Sequence, residues 1–142
     1  MSGYDSLAEF VGNRADRQQV EWRNLMGQCD NAKRKLAQLG QYVERYRTQM
    51  GGQLSAGMEA TATMVFLGFI GQIEAVIAKQ ENEVARLERA CIEQWHRVVE
   101  ARREKRMYEI LRDKVAAEKL SAALRRSQAE IDELMGRIVK LL

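Results

Sequence analysis

The feature that most constrains this chain is a run of apolar residues spaced alternately four and three apart. Tyr4, Ala8, Val11, Ala15, Gln18, Trp22, Leu25, Cys29, Ala32, Leu36, Leu39, Val43, Tyr46 and Met50 all obey it, and only Gln18 is clearly polar. Such a spacing keeps one stripe of a helix turned toward one partner for about six heptads and imposes a left-handed supercoil. Composition agrees. The chain has 142 residues and no proline, whereas proline averages near 5% of ordinary chains. Its absence leaves little room for loops. Ser2 or Asp5 can cap the helix start.

A second seam of the same spacing runs through Phe66, Ile70, Ile73, Ile77, Gln80, Val84, Leu87, Cys91, Gln94, Val98, Ala101, Lys105 and Tyr108. Between the seams lie Gly51-Gly52 and Ser55-Ala56-Gly57. Adjacent glycines put few steric limits on the backbone, so the chain is expected to reverse there. A continuous helix would have to hold Gly51, Gly52 and Gly57 inside it at roughly 1 kcal/mol each. The expected fold is therefore all-α, with two long helices in an antiparallel coiled-coil hairpin. One domain spans 1–142, with helix 1 at about 4–50, the turn at about 51–60 and helix 2 at about 61–140.

A turn next to Met50 makes the numbers of facing residues add to roughly 110, so helix 2 outruns helix 1 and projects at its C-terminus. Its seam nonetheless continues through Leu120, Leu124, Ile131, Leu134, Ile138 and Leu141, with Ser127 interrupting it and a register slip between Val115 and Leu120. About 30 residues would project, on the order of 45 Å at 1.5 Å per residue. A lone amphipathic helix is marginal in water. The stripe implies a partner, either another protein or a second copy.

The chemistry of the side chains argues against catalysis. His96 is the sole histidine and lies off the seam, which leaves no metal cluster and no nucleophile–base pair. Cys29 and Cys91 occupy seam positions on different helices. A pairing sum of 110 offsets them by on the order of 10 Å, beyond disulfide reach, and they read as small buried hydrophobes. No glycine-rich phosphate loop is present, acidic pairs such as Asp132-Glu133 face outward, and two helices offer no pocket of catalytic size. The expectation is a non-enzyme with no cofactor and no metal.

Charge is nearly balanced, with 23 Lys and Arg against 20 Asp and Glu, for a net +3. The basic run Arg97, Arg102, Arg103, Lys105, Arg106, Arg112, Lys114 is interleaved with Glu100, Glu104, Glu109 and Asp113. Ion pairs along the helix account for it best. A basic collar facing an acidic protein comes second. Nucleic acid comes last, because neutralised charges make poor phosphate ligands. The N-terminus has neither a basic nor an apolar segment, so a cytoplasmic protein without a signal peptide is expected.

The apolar block Ala62-Thr63-Met64-Val65-Phe66-Leu67-Gly68-Phe69-Ile70-Gly71 is shorter than the roughly 20 residues of a membrane span. Phe66, Ile70 and Ile73 belong to the seam. Val65, Leu67 and Phe69 do not, and Tyr42 also stands off it. Exposed aromatics gathered at one end of a hairpin mark a protein interface.

Tyr42-x-x-x-Tyr46-Arg47, then Ser55-Ala56-Gly57, then Phe69-Ile70-x-x-Ile73-Glu74-x-x-Ile77 resembles the flagellar export protein family FliJ, over roughly residues 5–118. The resemblance implies a soluble, non-enzymatic stalk of the flagellar type III protein export apparatus, similar to the antiparallel coiled coil of the gamma subunit in rotary ATP synthases. It implies insertion into the ring of the export ATPase (a FliI-like hexamer), contact with the cytoplasmic domain of the export gate protein FlhA, and a link to export chaperones. It places the chain in the cytoplasm, peripheral at the inner face of the cell membrane at the flagellar base, as a monomer when free.

The gate-binding surface that the resemblance implies carries over onto Lys35, Leu39, Tyr42, Tyr46, Phe69, Ile73, Val76 and Gln80. Leu39, both tyrosines and Phe69 match in type and Ile73 conservatively, whereas Lys35, Val76 and Gln80 depart from the pattern. The ring-facing end is assigned to Arg102, Arg103, Arg106, Leu120, Leu124, Ile131, Leu134 and Ile138. Two alternatives share the fold: an injectisome stalk of the YscO type, and a homodimeric coiled-coil scaffold built on the Leu120–Leu141 seam.

Overall fold

A computed structural model of the chain describes residues 3–57 and 59–142. Among these it contains two helices and no strand: α1 (Gly3–Ser55) and α2 (Ala60–Leu141), the second being the longer. They pair as the expected antiparallel hairpin. Asp5 in the first turn of α1 lies where the helix dipole favours a carboxylate. Ser2 falls outside the described residues.

The reversal falls inside the expected 51–60 stretch, but at its far end rather than at the glycine pair. Gly51 and Gly52 are helical, and α1 continues to Ser55. Gly57 ends it, with a positive φ of 88°. The Ala56 amide donates to the Gly52 and Gln53 carbonyls at 3.2 and 3.1 Å, and the Gly57 amide donates to the Leu54 carbonyl at 3.2 Å. This is a tightened last turn closed by a left-handed glycine. Ser55 Oγ donates back to the Gly51 carbonyl at 2.9 Å, one turn earlier in the helix. α2 then starts with both the Thr63 amide and its hydroxyl donating to the Glu59 carbonyl.

Moving the turn by about five residues raises the pairing sum, and this corrects the expected register. Contacts fall into two units, Gln18–Arg97 and Met1–Arg17 with Val98–Leu142, each containing segments of both helices. In the first, Cys29, Ala32, Val84, Leu87 and Cys91 form one buried cluster, with Leu25 and Leu36 packed against it. The expectation that Cys29 and Cys91 lie a helical turn or more apart is thus wrong: they share one core layer. Nearer the turn, Val43, Ile70 and Ile73 form a second cluster, flanked by Tyr46, Phe66, Phe69 and Ile77. Lys33 and Glu88 bridge the helices at 3.3 Å, and Arg47 and Glu74 form a second ion pair across them.

The three glutamines on the seams, Gln18, Gln80 and Gln94, bond across the interface. Gln94 is 2% exposed, and its Nε2 donates to the Gln18 carbonyl at 2.9 Å and to Gln18 Oε1 at 2.7 Å. Gln80 Nε2 donates to the Ala32 carbonyl at 3.0 Å.

In the other unit, Ala8, Val11 and Ala15 of α1 and Val98 and Ala101 of α2 are buried. Arg14 faces Glu104 at 3.9 Å. Half-burial on α2 extends to Leu111, Arg112 and Val115, somewhat past the expected limit near residue 110. From residue 116 on, every described residue but half-buried Ala122 is exposed. About 26 residues thus project, on the order of 40 Å at 1.5 Å per residue, somewhat less than expected.

Candidate functional site

The residues assigned to partner binding occupy two places, each within one unit. The first surrounds the second core cluster. Tyr46 sits on the α1 seam and carries three aromatic contacts. Its ring centroid is 5.5 Å from Tyr42, one turn earlier on its own helix, 5.1 Å from Phe66 and 5.0 Å from Phe69 on α2. These are tilted or offset arrangements of the kind favoured by the ring quadrupoles, each worth about 0.5–1.5 kcal/mol beyond area burial. Tyr42 is 45% exposed and stands at the outer end of the row.

The expected patch of freely exposed Val65, Leu67 and Phe69 is corrected in two ways. Phe69 is half-buried, because Tyr46 reaches across the helix pair to cover it. Leu67 lies on a different flank from Val65 and Phe69, since two residues on an α-helix are separated by about 200°. Tyr46, Glu59, Thr61, Ala62, Val65, Phe66 and Phe69 line one groove, of about 540 Å³. Arg47, Met50, Gly51, Leu54, Phe66, Leu67, Ile70, Gly71 and Glu74 line another. Two helices therefore do form concave surface, contrary to the expectation. The polar side chains lining the first groove are Glu59, Thr61 and Tyr46, and the rest of its lining is apolar. Among the described residues no cluster of three or more potential metal ligands occurs.

The remaining residues of this surface have distinct roles. Ile73 is in the core with Val43 and Ile70. Leu39 is half-buried. Lys35 and Val76 are exposed, and Gln80 is occupied by its bond to Ala32. Leu54 and Met64, exposed beside the turn, were not singled out from the sequence. Their signal is simply large apolar side chains off both seams.

The apolar start of α2 also bears on the membrane. An 18-residue window of α2 reaches a mean hydropathy of 1.6, so this helix meets a membrane span's length and composition where the block alone was judged too short. In the structure one side of it (Phe66, Ile70, Ile73, Ile77) packs on α1, and Glu74 pairs with Arg47.

The second place is the C-terminal part of α2. Leu120, Leu124, Ile131, Leu134 and Ile138 are all exposed, as is Leu141. The basic run ahead of them is laced with ion pairs. Arg103 meets Glu100 at 2.9 Å, Lys105 and Arg106 share Glu109, and Arg112 meets Asp113. Arg102 is exposed. Further on, Arg137 pairs with Glu133 at 2.7 Å. These exposed pairs each contribute little to stability, and they lower the positive potential that a nucleic acid would require.

Among known protein families, the one described as flagellar FliJ protein matches residues 4–140. No similar curated protein and no similar solved structure was found.

Proposed function

This chain belongs to the FliJ family, and from that premise we propose that it is a non-enzymatic stalk that couples the flagellar export ATPase to the export gate. The observation that carries the reading is the family match along nearly the whole two-helix chain. Because the match is to the flagellar family, it favours flagellar export over the injectisome alternative.

Two features support a division of labour. The Tyr42–Tyr46–Phe69 row is an aromatic platform held by a packed core and fits an apolar protein surface, here assigned to the cytoplasmic domain of the FlhA-like gate protein. Ile73 supports that platform from the core cluster that Tyr46 and Phe69 flank, and half-buried Leu39 stands on the same seam of α1 as Tyr46. The exposed seam Leu120–Leu141, preceded by Arg102, Arg103 and Arg106, supplies the end that enters the ring of a FliI-like ATPase hexamer. Contacts that differ among the ring subunits would bias them between states, as coupling through binding requires. Export chaperones are a further proposed partner. The proposed location is the cytoplasm, held at the inner face of the cell membrane at the flagellar base by these partners.

The central test is the turnover of the cognate ATPase with and without this chain. Stimulation together with co-purification is expected, and neither occurring would reject the ring assignment. Tyr42→Ala with Phe69→Ala should abolish gate binding while leaving helicity intact. Tyr42→Ala alone, which removes no core group, should weaken it. Sedimentation of the free chain as a monomer is expected, whereas a stable dimer would favour the scaffold reading.

A further inference from the structure

We propose that Cys29 and Cys91 form a reversible intramolecular disulfide that staples α1 to α2 when the protein meets a peroxide. The two residues project from facing seam positions into the same buried cluster, at 4% and 7% exposure, and both are free thiols. Their register is fixed on both sides. Lys33, one turn after Cys29, bridges to Glu88, one turn before Cys91. In the other direction Trp22 of α1 meets Trp95 of α2 with ring centroids 5.0 Å apart. Cys29, Cys91 and Ala32 are the small members of the cluster, which Val84 and Leu87 complete. Small side chains let two helices approach closely, and a disulfide needs Cα atoms within roughly 7 Å.

The chemistry needs an external oxidant, and a peroxide supplies it. One thiol, as thiolate, attacks a peroxide oxygen. The O–O bond breaks, one water leaves after protonation, and the sulfur becomes a sulfenic acid. The second thiol attacks that sulfur, the S–O bond breaks, and a second water departs. Two thiols and one hydrogen peroxide thus give one disulfide and two waters, with two electrons passing from the sulfurs to the oxidant. Burial pushes the Cys91 thiol up from its usual range, and the neighbouring Cys29 adds to the shift. Thiolate is therefore scarce, and the first step proceeds through brief parting of the helices. It is slow, but the resolving thiol is already in place, so closure within the chain outruns cross-linking between chains.

The staple leaves Tyr42 and the seam from Leu120 uncovered, so it would lock the helix register without blocking either proposed docking surface. It closes a loop of about 60 residues and should raise Tm by on the order of 10 °C.

The test uses the full chain, treated with hydrogen peroxide, then unfolded and alkylated. Expected are two thiols protected together, a mass lower by two hydrogens, a linked Cys29–Cys91 peptide after digestion, and a higher Tm that dithiothreitol reverses. Cys29→Ala and Cys91→Ala should each abolish the linked peptide and the Tm rise. Thiols that stay fully alkylatable, sulfinic acid at either position, or disulfides only between chains would overturn the proposal. Peptide mapping of the unmodified sequence decides the matter even if either variant folds poorly.

Discussion

Gln94 gives the sharpest test of how this helix pair is held in register. Its side chain is 2% exposed, its amide donates twice to Gln18, and its Oε1 accepts from Arg97 Nη1 at 3.3 Å. A buried amide is tolerable only when satisfied, and here both ends are. Gln94→Ala removes the two bonds to Gln18, at about 1 kcal/mol each, and leaves a void worth about another 1 kcal/mol. The expected loss is about 3 kcal/mol. Gln94→Leu loses the same bonds but fills the space and buries apolar surface, which offsets most of the loss, so its cost should stay below about 1 kcal/mol. The assay is urea unfolding followed by far-UV circular dichroism, with Gln18→Ala added to close a double-mutant cycle. A coupling energy of about 1 kcal/mol between the two glutamines is expected. If Gln94→Ala cost under about 0.5 kcal/mol, or the cycle showed no coupling, the amide would not be sealed as described.

Further outcomes follow from the turn, the core and the thiols. Gly57→Ala should destabilise by about 1 kcal/mol, because φ is 88° there, whereas Gly51→Ala and Gly52→Ala should each stabilise by about 0.5–1 kcal/mol, being helical with open space where a Cβ would go; thermal melts with the signs reversed would relocate the turn. Ile73→Ala should cost about 3 kcal/mol from the second core cluster, while Ile131→Ser and Leu134→Ser should each shift the free chain by under about 0.5 kcal/mol, since both are exposed; denaturant midpoints distinguish them, and a large loss at Ile131 would mean its face is covered. Because the Cys91 thiol is raised in the folded state, its contribution is complete below the usual thiol range near pH 8.5 and is lost as pH rises above it. The reduced protein should therefore lose more stability between about pH 8 and pH 10 than Cys91→Ala does, and equal losses would reject this.

The two helices and their facing stripes were legible in the sequence because a 3.5-residue period leaves one geometry in which those side chains escape water. Each predicted seam residue of α1 from Ala8 to Met50 is buried or half-buried. The exposed seam after residue 116 was legible for a related reason, since a heptad that outruns its partner has nothing within the chain to cover it. The tyrosine pair was also visible, as a spacing of four on one helix. What the sequence left open was the point of reversal. Gly51-Gly52 looks like a better turn than Gly57, yet a lone glycine in the left-handed region ends a helix more effectively than two glycines that can stay helical. That displacement of about five residues is tertiary information with long reach. It sets which α2 residue meets which α1 residue and brings Cys29 to Cys91. Side-chain contact decided the rest. Phe69, off the seam by number, is half-buried because Tyr46 reaches over it, and Leu67 is separated from it because the helix turns it to another flank. Period alone determines which stripe is apolar. Register, and the cover given by large rings, exist only once two stripes have met.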